Sequence, residues 1–188
     1  MAKLYFRYAA MNAGKSTALL QVARNYEERG QRVDLYTSAL DHRYGVGRIS
    51  SRLGLARDAE CYGPDSDFEA NYAVRGRPAC VLIDEAQFLS AAQVVQLHRV
   101  AHLRGIPVIC YGIRSDFQGR AFPGSGALLT LADDIEEMKT VCRCGRKATM
   151  NLRFDANGQR LRDGAQVEIG GEERYESVCP QRFYTGQC

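Results

Sequence analysis

Apolar and polar positions follow two rhythms along this chain. Leu4 to Ala9 is a short apolar run that reads as a strand. From Ser16 to Arg29, Leu19, Val22, Ala23 and Tyr26 recur at helical spacing until Gly30 stops the pattern. Arg32 to Thr37 reads as a second strand. Asp41 to Ala59 is rich in Arg, Ser and Gly, holds no period and is expected to be a mobile loop. Asp67 to Val74 predicts a short helix, and Ala79 to Ile83 is the unbroken apolar run of a strand covered on both faces.

Ser90 followed by Gln93 has the form of a capping box, and Val94, Leu97, Val100 and Ala101 form an apolar stripe as far as Gly105. Pro107 to Tyr111 supplies another strand, and Gly112 to Gly126 is polar and irregular. Ala127 to Ala132 then predicts a short helix, and Ile135 to Val141 a last strand. Strand and helix in alternation imply a parallel sheet with helices on both faces, an α/β fold. Beyond Cys142 the pattern breaks into short β-like pieces, Ala148 to Phe154 and Gln166 to Ile169, separated by Asn157-Gly158 and Gly170-Gly171. The expected division is residues 1–140, then 141–188. A tail of roughly 48 residues buries little core by itself, so a metal staple is physically sensible there.

The 188 residues suffice for one domain and a small appendage, and 45% hydrophobic with 25% charged residues argues against disorder. A net charge of +3, spread among interleaved acids, argues against a dedicated nucleic-acid binder. No stretch is long and apolar enough to cross a bilayer, and the first residues lack a secretory pattern, so the cytoplasm is expected and no membrane partner. Seven cysteines, an odd number, do not suggest a disulfide framework. Cys61, Cys80 and Cys110 read as ordinary thiols, the last two inside apolar runs.

Candidate chemistry enters at Gly14-Lys15-Ser16-Thr17, between the first strand and the first helix. That context makes a P-loop of Ala9, Ala10, Met11, Asn12, Ala13, Gly14, Lys15 and Ser16. Backbone N–H groups and the helix end would surround phosphates, Lys15 would reach the β and γ oxygens, and Ser16 would ligate Mg2+. The first position departs from the pattern, with Ala9 where glycine is usual. Val81-Leu82-Ile83 runs into Asp84 and Glu85 as a Walker B strand does, and a parallel sheet brings both strand ends to one edge. Asp84 can then meet the magnesium, leaving Glu85 for base chemistry on water or on an acceptor hydroxyl. The fold expected is a P-loop (RecA-like) sheet.

Cys142, Cys144 and Cys179, with Gly145 beside the pair, suggest a zinc knuckle short of one ligand. The expected place three residues after Cys179 holds Arg182, whose guanidinium offers no lone pair. Cys188 could substitute if the tail folds back.

Taken together, AAMNAGKST, YEERG, DHRYG, SSRLGL, VLIDEAQF, IPVICYGIRSDFQG, VCRCGRKA and VEIGGEERYESVC resemble the zinc-containing (type II) thymidine kinases, over nearly the whole chain. The resemblance implies transfer of the γ-phosphate of ATP to the 5′-hydroxyl of thymidine, with Glu85 as general base. Ala9 to Ser16 and Asp84, Glu85, Ala86 and Gln87 would hold ATP and magnesium, with Asp41 and Arg43 near the phosphates. Met11, Phe88, Phe117, Phe122 and Tyr175 would form the nucleoside pocket, and the backbone of Val167, Ile169 and Gly170 would bond the thymine edge. The tail would be a zinc-ribbon-like lasso or lid fastened by structural Zn2+. A homotetramer inhibited by thymidine triphosphate is also implied. Two other readings compete: a P-loop ATPase or helicase fragment, and a zinc-ribbon module that senses nucleotide.

Overall fold

The computed structural model describes residues 1–41, 45–167 and 175–188. Its centre is a parallel sheet. β1 (Leu4–Tyr8), β2 (Val33–Ser38), β5 (Glu60–Tyr62), β6 (Cys80–Ile83), β7 (Val108–Gly112) and β8 (Asp134–Glu137) lie in the order β5-β2-β6-β7-β1-β8. Every neighbouring pair is parallel, so the carboxyl ends of β1, β2, β6 and β7 share one edge. The crossovers are α1 (Lys15–Glu27), α2 (Phe68–Val74), α3 (Ala91–Arg104) and α4 (Pro123–Leu131).

The two faces follow from the pleat. Along β6, Val81 and Ile83 pack into the core shared with α2, α3 and α4, whereas Cys80 and Leu82 face the core shared with α1. All four residues are fully buried, and each large aliphatic side chain contributes on the order of 1.5–3 kcal/mol by leaving water. The expected parallel sheet with helices on both faces is therefore present.

Helix ends explain where the elements stop. Ser90 and Gln93 form the full capping box at the start of α3, and Gly105 ends it in the left-handed conformation. α4 begins at Pro123, earlier than the apolar pattern alone predicts, because proline at the first helical position needs no N–H partner. Gly124 lets this helix approach closely: a Cβ there would lie 2.6 Å from the Leu89 carbonyl oxygen and 2.7 Å from that of Ala86.

Other differences lie in short elements. The stretch expected to be a loop contains the hairpin β3 (Arg48–Ser50) and β4 (Ala56–Asp58), and β5 follows it at the sheet edge. The last strand of the large sheet is Asp134–Glu137, shorter than expected. In the tail, β9 (Met150–Phe154), β10 (Arg160–Leu161) and β11 (Tyr175–Val178) form an antiparallel sheet of order β10-β9-β11. Helix α5 (Pro180–Thr185) follows it. Leu152, Val178, Phe183 and Ala148 form a small separate core there, beside Cys142 and Cys179. Of the strand expected over Gln166 to Ile169, Gln166 and Val167 lie outside any strand, and Ile169 lies outside the described residues.

Candidate active site

The loop from β1 to α1 sits at the carboxyl edge of the sheet. Gly14 adopts φ 80°, which glycine takes without strain, and no side chain caps the helix that follows. The first N–H groups of α1 are left for an anion, reinforced by the helix dipole. Lys15 Nζ donates to the Ala10 carbonyl at 3.1 Å, curling over the loop. Ser16 Oγ donates to Asp84 Oδ2 at 2.9 Å, so the two residues proposed from separate motifs meet.

Asp84 is buried, and burial pushes its carboxyl up to about 7, with the neighbouring Glu85 charge adding to the effect and the Ser16 hydroxyl opposing it. A carboxylate in such a place gains from a positive counter-charge. Glu85 takes φ 52°, an uncommon left-handed conformation for a residue with a Cβ. Its neighbours hold it there. The buried Tyr62 hydroxyl donates to the Glu85 carbonyl at 2.7 Å, and Gln87 Nε2 donates to the Glu85 carboxylate. Gln87, itself buried, accepts the Ile113 N–H at 3.2 Å, tying Glu85 to the end of β7.

A cavity of about 670 Å³ joins these groups to a cluster of aromatic rings. Met11, Asn12, Ala13, Gly14, Lys15, Ser16, Asp84, Glu85 and Gln87 line it together with Phe88, Phe117, Phe122, Val167 and Tyr175, and Asp41 is also on its wall. Phe88 and Phe122 meet edge to face at 6.0 Å, and the Arg153 guanidinium stacks 5.0 Å from the Phe117 ring centre. Ala9, Ala10 and Ala86 are buried behind this surface and do not line it. Arg43, Ile169 and Gly170 lie outside the described residues.

Several lining or supporting residues have no role assigned from sequence, although Ser115, Asp116, Ser177 and Arg52 lie within the family-like blocks. Asn151 of β9 accepts the Met11 N–H at 2.8 Å and donates to the Ser115 carbonyl at 3.3 Å. Ser177 of β11 donates to the Met11 carbonyl, so both sides of this P-loop residue are gripped by the small sheet. Asp116 accepts the N–H groups of Gln118 and Arg120 at 2.9 and 2.8 Å through Oδ1, and the Gln166 amide at 2.9 Å through Oδ2. Polarity alone did not distinguish these residues from a solvated loop. Arg52, which reaches Asn12, came from the stretch without periodicity.

The cysteines converge as well. Cys142, Cys144, Cys179 and Cys188 place their sulfurs within 4.8 Å of one another, with 3.7 Å between Cys142 and Cys188 and 3.8 Å between Cys144 and Cys179. A tetrahedral zinc with Zn–S bonds of about 2.3 Å places its sulfurs roughly 3.8 Å apart. The donor set is consistent with zinc, and Cys188 completes it. Arg182 instead pairs with Glu176 at 2.7 and 3.0 Å. Burial would push the Cys142 thiol up, but the N–H groups of Cys144 and Cys179 bring it down to about 6, whereas hydrogen bonds to the other thiols push Cys188 up to about 12.

Comparison with known proteins agrees with this arrangement. The family described as thymidine kinase matches residues 2–183. The thymidine kinase of Chromobacterium violaceum is 60% identical over 184 residues, covering 98% of this chain and 99% of the relative. Those of Idiomarina loihiensis and Albidiferax ferrireducens are 59% and 57% identical, each match covering 97% or 98% of this chain and 96% or 93% of the relative. With that coverage joined to a strand-loop-helix P-loop, an adjacent acidic pair and a four-cysteine cluster, the chain belongs to the thymidine kinase family.

Proposed function

We propose that this protein transfers the γ-phosphoryl group of ATP to the 5′-hydroxyl of thymidine, giving dTMP and ADP. The observation that carries the reading is that Glu85 lines the same cavity as Lys15 and Ser16 of the P-loop and the rings of Phe88, Phe117 and Phe122. A carboxylate that shares a cavity with a phosphate loop and a group of aromatic rings suits proton removal from a bound sugar. Glu85 takes the hydroxyl proton, the oxygen attacks the γ-phosphorus, and the bond to the bridging oxygen of ADP breaks.

The P-loop from Ala9 to Ser16, with Asp84 to Gln87, binds ATP, and Lys15 draws charge from the β and γ oxygens. Ser16 and Asp84 offer hydroxyl and carboxylate oxygens, the donors a hard cation prefers, and would hold magnesium. When bound, that ion neutralises charge on the phosphates. Asp41 and Arg43 approach the phosphates. Met11, Phe88, Phe117, Phe122 and Tyr175 enclose the nucleoside, and the backbone at Val167, Ile169 and Gly170 reads the thymine edge. The Asp116–Gln166 bond supports this by tethering the chain beside Val167.

Residues 141–188 form a lid distinct from residues 1–140, with zinc on Cys142, Cys144, Cys179 and Cys188 fastening it. By family resemblance the enzyme is cytoplasmic, assembles as a tetramer and is inhibited by thymidine triphosphate. ADP release from ATP and magnesium is expected to depend on thymidine. Glu85→Gln is expected to slow it by about 10²-fold or more while ATP still binds. Equal ADP release without a nucleoside would return the chain to an ATPase.

A further inference from the structure

The outer surface of α3 holds a second group of ligating side chains. His98 and His102 stand one helical turn apart, with ring centres 4.4 Å from each other. Asp133, in the turn between α4 and β8, brings its two carboxylate oxygens to 3.2 and 3.0 Å from His102 Nε2. One ligand atom from each of the three lies within 4.8 Å of the others. None of these residues lines the nucleotide cavity.

The carboxylate is held in place by the main chain. Asp133 Oδ2 also accepts the Leu4 N–H at 2.8 Å, at the first residue of β1. Although burial opposes it, this bond and the two imidazoles keep the Asp133 carboxyl below its usual range, so it is ionised near neutral pH. Metal bonds of about 2.0–2.2 Å to imidazole nitrogen and carboxylate oxygen place neighbouring ligand atoms of a tetrahedral site roughly 3.3–3.5 Å apart. The His102 to Asp133 separations of 3.0 and 3.2 Å need only a small opening to admit an ion. Two imidazoles and one carboxylate favour borderline divalent ions over magnesium or calcium, and solvent can supply the remaining ligands. The Leu4 bond orients the carboxylate as an outer partner does in established metal sites.

We propose that His98, His102 and Asp133 form a metal site separate from the four cysteines, taking one divalent cation of the zinc, nickel or cobalt class. Bound there, the ion clamps the carboxyl end of α3 to the turn before β8, and through Asp133 to the start of β1. The test titrates tag-free, full-length protein with Ni2+ by calorimetry while it retains the metal it carries on purification. One further equivalent is expected. His98→Asn and His102→Asn, at a partly exposed and an exposed position, should each weaken it by about tenfold or more. Ni2+ should also raise the thermal midpoint of the parent protein and leave that of the double variant unmoved. Unchanged thymidine-dependent activity in both variants establishes that they fold. No additional equivalent in the parent, or undiminished Ni2+ binding in the double variant, overturns the proposal.

Discussion

Replacing Asn151 with alanine would remove a side chain that joins the small antiparallel sheet to both the P-loop and the segment after β7. Asn151 is 3% exposed, accepts the Met11 N–H at 2.8 Å and donates to the Ser115 carbonyl at 3.3 Å. A hydrogen bond contributes about 0.5–1.5 kcal/mol net, but a buried group left without a partner costs about 1–3 kcal/mol. The shorter bond, to Met11, carries most of this, while the longer one contributes less. A loss of about 2–3 kcal/mol follows, which lowers the thermal midpoint by roughly 4–12 °C in a chain of this size. Because Met11 belongs to the phosphate loop, the KM for ATP should rise more than kcat falls. Differential scanning calorimetry and initial rates at varied ATP measure both effects. An Asn151→Ala protein with the parent midpoint and the parent KM for ATP would refute the view that this residue positions the loop.

Tyr62→Phe removes the hydroxyl that bonds the Glu85 carbonyl while keeping the buried ring, so kcat should fall by about tenfold, with KM for both substrates nearly unchanged; steady-state rates decide it, and a parent-like kcat refutes a positioning role for the phenol. Cys188→Ser should lower the zinc content of purified protein, measured by elemental analysis, whereas Arg182→Ala should leave it near one ion per chain, since Arg182 pairs with Glu176 rather than serving as a ligand.

The parts legible in the sequence share one property: their meaning is local. Gly14-Lys15-Ser16 lies between a strand and a helix, and Ser90 and Gln93 lie three residues apart, so neighbours in the chain are enough to read them. The hairpin β3–β4 and the edge strand β5 are only three residues each, too short to show a period of two above chance. The start of α4 is obscured because Pro123, Gly124 and Ser125 have the composition of a turn. Gly124 is there because a helix must pass close to the Leu89 and Ala86 carbonyls, which only the folded chain makes apparent. Cys188 is a candidate ligand in sequence only on the condition that the tail folds back. It lies 46 residues from Cys142, and only the fold-back after α5 brings the two sulfurs together.

Asn151 marks the limit of such reading, because its partner Met11 is 140 residues away. An asparagine on a short strand gives no sign of its partner. Yet Asn151 and Ser177 between them bond the N–H and the carbonyl of one P-loop residue, from two strands of the same small sheet. That sheet packs against the core around Cys142 and Cys179. The chain of contacts runs from four thiols, through β9 and β11, to Met11 and so to the P-loop. Under the proposed function, a lid tied in this way would do more than exclude water over the nucleoside. It would also hold the backbone of the loop between β1 and α1 through Met11, so disrupting the cysteine cluster is expected to loosen that loop as well.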